Sequence, residues 1–133
     1  MEIRYSNDKA VQIWQRFVEN PLDMSAQRNF VKHYGAPMIQ QATKLHQRLR
    51  QSATVSIYNQ QHGGSNRIEL KQGQRDNDPV VLKVRVNNAW RKFFNIEMSD
   101  ADTALTMREW HGQLNQVDTL CVIDINKHKY NEI

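Results

Sequence analysis

The stretch Val80-Val81-Leu82-Lys83-Val84-Arg85-Val86-Asn87-Asn88-Ala89-Trp90-Arg91-Lys92-Phe93-Phe94-Asn95-Ile96-Glu97-Met98 decides the fold. Much of it alternates with a period of two, the spacing at which successive side chains of an extended chain point to opposite sides. Asn87-Asn88 interrupts the alternation with residues that tolerate positive φ, as a tight turn requires. The stretch therefore reads as a hairpin of two strands, residues 80–86 and 89–98. Leu82, Val84, Val86, Trp90, Phe94, Ile96 and Met98 fall on one side, and Val81, Lys83, Arg85, Arg91, Phe93 and Glu97 on the other.

Working back from the hairpin, two shorter runs read as strands separated by turn residues. Residues 54–58 form the first, closed by the Gly63-Gly64 loop. Residues 67–71 form the second, closed by Gly73 and the polar run Arg75-Asp76-Asn77-Asp78-Pro79. Val55, Ile57, Ile68 and Leu70 join the apolar side; Tyr58, Arg67, Glu69 and Lys71 join the other. Working forward, Ser99 and Asp102 match a capping pattern that opens a helix with Ala104, Met107, Trp110, Leu114 and Val117 on one side. A last strand over residues 120–126 precedes a polar tail.

Residues 6–52 change to helical spacing. Ser6 can cap a helix striped by Val11, Trp14, Phe17 and Val18 that ends before Pro21. Asp23 or Ser25 caps a second, with Phe30, Val31 and Tyr34 inward and Gly35 as its stop. Pro37 opens a third, with Met38, Ala42, Leu45 and Leu49 inward and Gln41, Lys44 and Arg48 on another face. The predicted fold is α+β: N-terminal helices, then an antiparallel sheet of four to five strands with one packed helix, in the order ββββαβ. It is read as a single domain over 1–133, helical over 1–52 and sheet plus helix over 53–133.

Composition agrees with one core. The chain has 133 residues, 39% of them hydrophobic, too few for two well-packed domains. Its longest apolar runs fall far short of the roughly 20 residues a membrane span needs, and no secretory signal is visible, so a cytoplasmic location is expected and no membrane partner. The lone Cys121 cannot form an internal disulfide or a thiolate zinc site, and reads as core filler.

The net charge is +4, unevenly spread. No Asp or Glu occurs between Met24 and Ile68, whereas Arg28, Lys32, Lys44, Arg48, Arg50 and Arg67 do. A stretch without internal counter-charges suits phosphate. On the polar side of the sheet, Arg67, Lys71, Lys83, Arg85 and Arg91 interleave with Tyr58 and Phe93. Cations neutralise phosphates while exposed rings stack on bases, so this combination points to single-stranded DNA or RNA. Lys44 and Arg48 extend the candidate surface. The competing interpretation is a solvated sheet face kept soluble by alternating charge.

The run from Arg67-Ile68-Glu69-Leu70-Lys71 through Leu82-Lys83-Val84-Arg85-Val86 to Ile96-Glu97-Met98-Ser99 and Arg108-Glu109-Trp110 resembles the ββββα unit of the Whirly, PUR and transcriptional-coactivator family of single-stranded-DNA-binding proteins. That resemblance implies a homodimer whose open sheet face meets the DNA strand. A second likeness, carried by Asn66-Arg67-Ile68-Glu69, Lys71-Gln72-Gly73-Gln74-Arg75 and Arg85-Val86-Asn87-Asn88-Ala89-Trp90-Arg91, is to RelE-type messenger-RNA-cleaving toxins. It implies that Arg67, Lys71, Arg85 and Arg91 hold phosphate and that His128 and Tyr130 serve as acid and base.

Other chemistry finds no support in the residues. Gly63-Gly64 lacks the Gly-Lys-Ser/Thr of a phosphate loop, and neither a nucleophile elbow nor a His-Glu-x-x-His pattern occurs. His33, His46, His62, His111 and His128 have no metal-ligand spacing, so no metal and no cofactor is expected, and without the toxin likeness no catalytic residue. A third class is a small mobile-element inhibitor that grips another protein, for which Trp14, Trp90 and Trp110 are candidate anchors, although each lies on a stripe assigned to the core.

Overall fold

The computed structural model describes residues 1–97 and 103–127. A short strand β1 (Glu2–Tyr5) leads into three helices, α1 (Lys9–Glu19), α2 (Met24–Tyr34) and α3 (Met38–Gln51). The caps are those the chemistry favours. Asp8 accepts from Val11 N at 3.1 Å, and Asp23 accepts from Ser25 N and Ala26 N at 2.9 and 3.2 Å. Ser6, expected as the first cap, instead accepts from Asp8 N. Gly35 closes α2 at φ +94°, which a side chain would resist, and Pro37 precedes α3. The anticipated stripes Val11–Trp14–Phe17–Val18 and Met38–Ala42–Leu45–Leu49 are buried, as are Phe30 and Tyr34.

A fourth helix, α4 (Val55–His62), occupies the place of the expected first strand. Thr54 caps it through Ile57 N at 3.2 Å, and Val55 and Tyr58, three residues apart, enter the core. So short an apolar run satisfies both periods, and the cap decided for the helix. Beyond it come β2 (Glu69–Leu70), β3 (Val81–Arg85), β4 (Trp90–Ile96), the one-turn α5 (Met107–Trp110) and β5 (Thr119–Lys127). β2 is short because Asn59 takes over part of a strand partner's role. Its side chain donates to Ile68 O at 3.1 Å and accepts from Ile68 N at 2.7 Å.

The sheet runs β1-β5-β4-β3-β2 and is mixed, since β1 pairs with β5 in parallel while every other pairing is antiparallel. This corrects the expected all-antiparallel ββββαβ order; the α+β class stands. The long helix expected from Ser99 is also replaced. Ser99, Asp100, Asp102 and Met98 lie outside the described residues, but Glu97 bridges Ala104 and Pro79 bridges Thr106 in strand-like fashion. The capping box is Thr106 with Glu109, and His111 (φ 60°) and Gly112 (φ 75°) end the helix after one turn.

The helices cover one face of the sheet. Trp14, Phe30, Tyr34, Met38 and Leu49 pack in one cluster with Leu82, Val84, Phe94, Ile96, Leu120 and Val122. Trp14 and Trp110 are buried and Trp90 is half-buried against Tyr34 at 5.0 Å, so the tryptophans serve the core and do not stand out as protein anchors. Lys92 shares this face. It is fully buried, its Nζ 4.8 Å from the Trp14 ring centroid and 5.5 Å from that of Phe94, with no hydrogen-bond partner. Burial pulls its pKa down to about 7. His46 is buried nearby with Nδ1 3.3 Å from the Tyr5 hydroxyl; burial, reinforced by Lys92 and Arg50, takes its pKa down to about 4.

Both groups bind protons more weakly in the folded chain than in the unfolded one. Stability therefore rises with pH wherever the unfolded chain alone is protonated. For Lys92 that window runs from about pH 7 to its ordinary value of 10.5. Urea denaturation between pH 6.5 and 10 should show a gain on the order of a few kcal/mol. Lys92→Met should abolish most of that slope and raise stability at pH 6.5. A flat wild-type profile, or a methionine variant less stable at pH 6.5, would contradict an ammonium whose pKa burial lowers.

Candidate nucleic-acid interface

The face away from the helices is built by the residues that alternate with the core. Register places Arg85 opposite Arg91, Lys83 opposite Phe93 and Glu69, and Val81 opposite Asn95. Next to Val81, Lys71 donates its backbone N–H to Val81 O at 2.9 Å, and its Nζ stands 5.9 Å from the Phe93 ring centroid. Across β4 lie Asn126 opposite Arg91, Asp124 opposite Phe93 and Cys121 opposite Asn95. Cys121 is half-buried on this open face, not in the core as expected; burial first, then Glu97, pushes its thiol up to about 11.

Turn residues hold the two arginines in place. Asn87 Oδ1 accepts from Ala89 N and Trp90 N, both at 2.8 Å, while its Nδ2 donates to Gln41 Oε1 and Met38 Sδ, tying the turn to α3. Arg85 Nη2 donates to Asn88 Oδ1 at 2.7 Å, and Arg91 Nη1 donates to Asn87 O at 2.7 Å and Trp90 O at 3.1 Å. Arg85 Nε is buried with no acceptor. Among the described residues neither guanidinium has a carboxylate partner. Like charges directly opposite on a sheet repel. Accordingly burial, and then Arg85, lower the pKa of Arg91.

At the far edge the charges are satisfied internally. Arg4 pairs with Glu97 at 3.1 Å and with Glu2 at 3.3 Å. The open face is therefore graded: Arg85 and Arg91 have no ion pair among the described residues, Lys83 stands opposite Glu69, and toward β1 the charges are paired.

Of the nine residues expected at the interface, Lys71, Lys83, Arg85, Arg91 and Phe93 share this face. Tyr58 does not: it is buried in α4, its hydroxyl donating to Asn66 O at 3.1 Å, and burial raises its pKa. Arg67 precedes β2 and lines a cleft with Ser56, Asn59, Gln60 and Leu114. Lys44 and Arg48 sit on α3, in the helical layer behind the sheet. Sequence reasoning also missed a basic cleft of about 570 Å³ between α1 and α2, where Lys9, Arg16, Lys32 and His33 surround Ile13. Its signal was the cations at helical spacing opposite the apolar stripe of α1.

No family model matches this chain, and neither a curated protein nor a solved structure does. His128 and Tyr130 lie outside the described residues, and no group of metal-binding side chains occurs among the described ones. No helix among them is long and apolar enough to cross a membrane.

Tyr58→Phe should cost about 1 kcal/mol in urea denaturation by stranding the Asn66 carbonyl, and leave affinity for any polyanion unchanged. Lost affinity at unchanged stability would return Tyr58 to the interface.

Proposed function

We propose that the open sheet face binds single-stranded nucleic acid, with Arg85 and Arg91 gripping a phosphate and Phe93 stacking on a neighbouring base. One observation carries this reading: Arg85 and Arg91 are directly opposed across β3 and β4, and neither is in an ion pair among the described residues. An anion placed between them would relieve their repulsion and accept from their unused N–H groups, the fork geometry that suits phosphate. Lys83 lies two residues from Arg85 along β3, about 7 Å, and Lys71 lies beside Val81, four residues from Arg85 or about 14 Å, so the two can meet successive flanking phosphates. The half-buried Phe93 ring offers stacking worth on the order of 1–3 kcal/mol per base. A duplex buries its base faces and cannot use that ring, hence the preference for unpaired strands.

Binding without covalent chemistry is the simplest form of this activity. Cleavage of bound RNA, the activity implied by the likeness to RelE-type toxins, is a second form.

Fluorescence anisotropy with labelled single-stranded DNA, RNA and duplex DNA over a range of salt tests the proposal. Log affinity should fall against log salt with a slope of about −0.7 per phosphate neutralised, and unpaired strands should bind more tightly than duplex. Replacing both Arg85 and Arg91 by Ala should shallow that slope by about one phosphate or more, whereas replacing Lys44 and Arg48 should not. An intact RNA probe supports binding alone; cleavage lost in His128→Ala supports the second form. Absence of binding to every probe by the folded protein would overturn the proposal.

A further inference from the structure

The proposed face also contains a carboxylate that its cations leave unused. Asp124 sits directly opposite Phe93 on the neighbouring strand, half-buried, and has no cationic partner among the described residues although Arg91 is close by. Asn126 Nδ2 donates to its Oδ2 at 2.6 Å, which fixes the carboxylate and leaves Oδ1 and the second lone pair of Oδ2 open. The β-bulge between Phe93 and Phe94 lies at the same point, where Ile123 is the extra residue of β5. Bulges re-aim side chains and recur beside functional sites.

We infer that Phe93 and Asp124 form a base-recognition subsite for guanine. The inference rests on the single-strand reading of this face and adds a base preference to it. Directly opposed residues of an antiparallel pair hold their Cβ atoms about 4.5–5.5 Å apart, so a base stacked on Phe93 projects its edge over Asp124. Guanine presents two adjacent donors on its Watson–Crick edge, N1–H and the N2 amino group, which match the two oxygens of one carboxylate. Thymine and uracil present a single N–H between two carbonyls that repel a carboxylate. Adenine and cytosine each set one amino donor beside a ring nitrogen whose lone pair does the same. A carboxylate beside a stacking ring therefore discriminates guanine through two charge-assisted hydrogen bonds. Lys71, exposed and long, can leave the ring and follow the phosphate.

Competition anisotropy with thymine tracts that differ at one central base tests this. A single guanine avoids self-association, and inosine in its place removes only the N2 amino group. The central guanine should bind about tenfold more tightly than thymine, with inosine between them. Asp124→Asn should erase the difference while leaving the all-thymine tract bound at least as tightly, because a negative charge has left the face. Asn126→Ala, which only loosens the carboxylate, should narrow the difference. Equal binding of all tracts by wild type, with the arginine and salt dependence intact, would overturn the guanine subsite and leave the parent reading standing. Failure of every tract to bind would overturn both.

Discussion

Everything exposed or hidden in this sheet follows from the register between β3 and β4. Because side chains alternate, a slip of one residue in β3 would send Leu82 and Val84 to solvent and turn Lys83 and Arg85 into the core, and a slip in β4 would exchange Phe94 and Ile96 for Phe93. The hydrophobic pattern specifies the register strongly, and Asn87 pins it locally. Its carboxamide closes the turn through two backbone N–H groups and reaches α3 through the remaining hydrogens. The same turn supplies the acceptors that hold Arg85 and Arg91. Fold and candidate site thus depend on one loop.

Core and face differ in how they treat charge. The core tolerates one cation, Lys92, sandwiched between the rings of Trp14 and Phe94 and pulled toward neutrality by burial. The open face keeps four cations, Lys71, Lys83, Arg85 and Arg91, in half-exposed positions or at the rim. Across the same sheet the β1 edge pairs its charges, Arg4 with Glu97 and Glu2. A face that existed only for solubility would have little reason to oppose two arginines, since mixing signs across strands is the more stable arrangement.

Long periodic segments were legible in the sequence. α1 to α3 each repeat their apolar residues over three turns with a cap or stop, and the hairpin alternates on both sides of a recognisable turn. Short segments were not. Residues 55–58 satisfy two periods at once, so alternation assigns Tyr58 to a strand although it lies buried in a helix, and the face carries one ring fewer than expected. β1 has four residues and its partner, β5, lies at the other end of the chain, a distance local patterning cannot span. Lys92 shares its parity with Phe94 and Ile96, a signal that was available. The true capping box at Thr106 and Glu109 was legible too, as was His111-Gly112 as a stop, but an earlier match at Ser99 masked both. Lys44 and Arg48 on α3, and Arg67 in its cleft, show the limit of charge counting: the fold separates them from the cations of the sheet face.

The proposed binding face is defined by where its residues lie, so the decisive measurement is residue-resolved. Two-dimensional NMR of the protein titrated with a short thymine-rich single strand should shift the signals of Lys71, Lys83, Arg85, Arg91 and Phe93. Lys44, Arg48 and Arg67 should stay in place. Shifts concentrated on the helical layer, or spread evenly over all cations, would contradict a binding face defined by β2, β3 and β4.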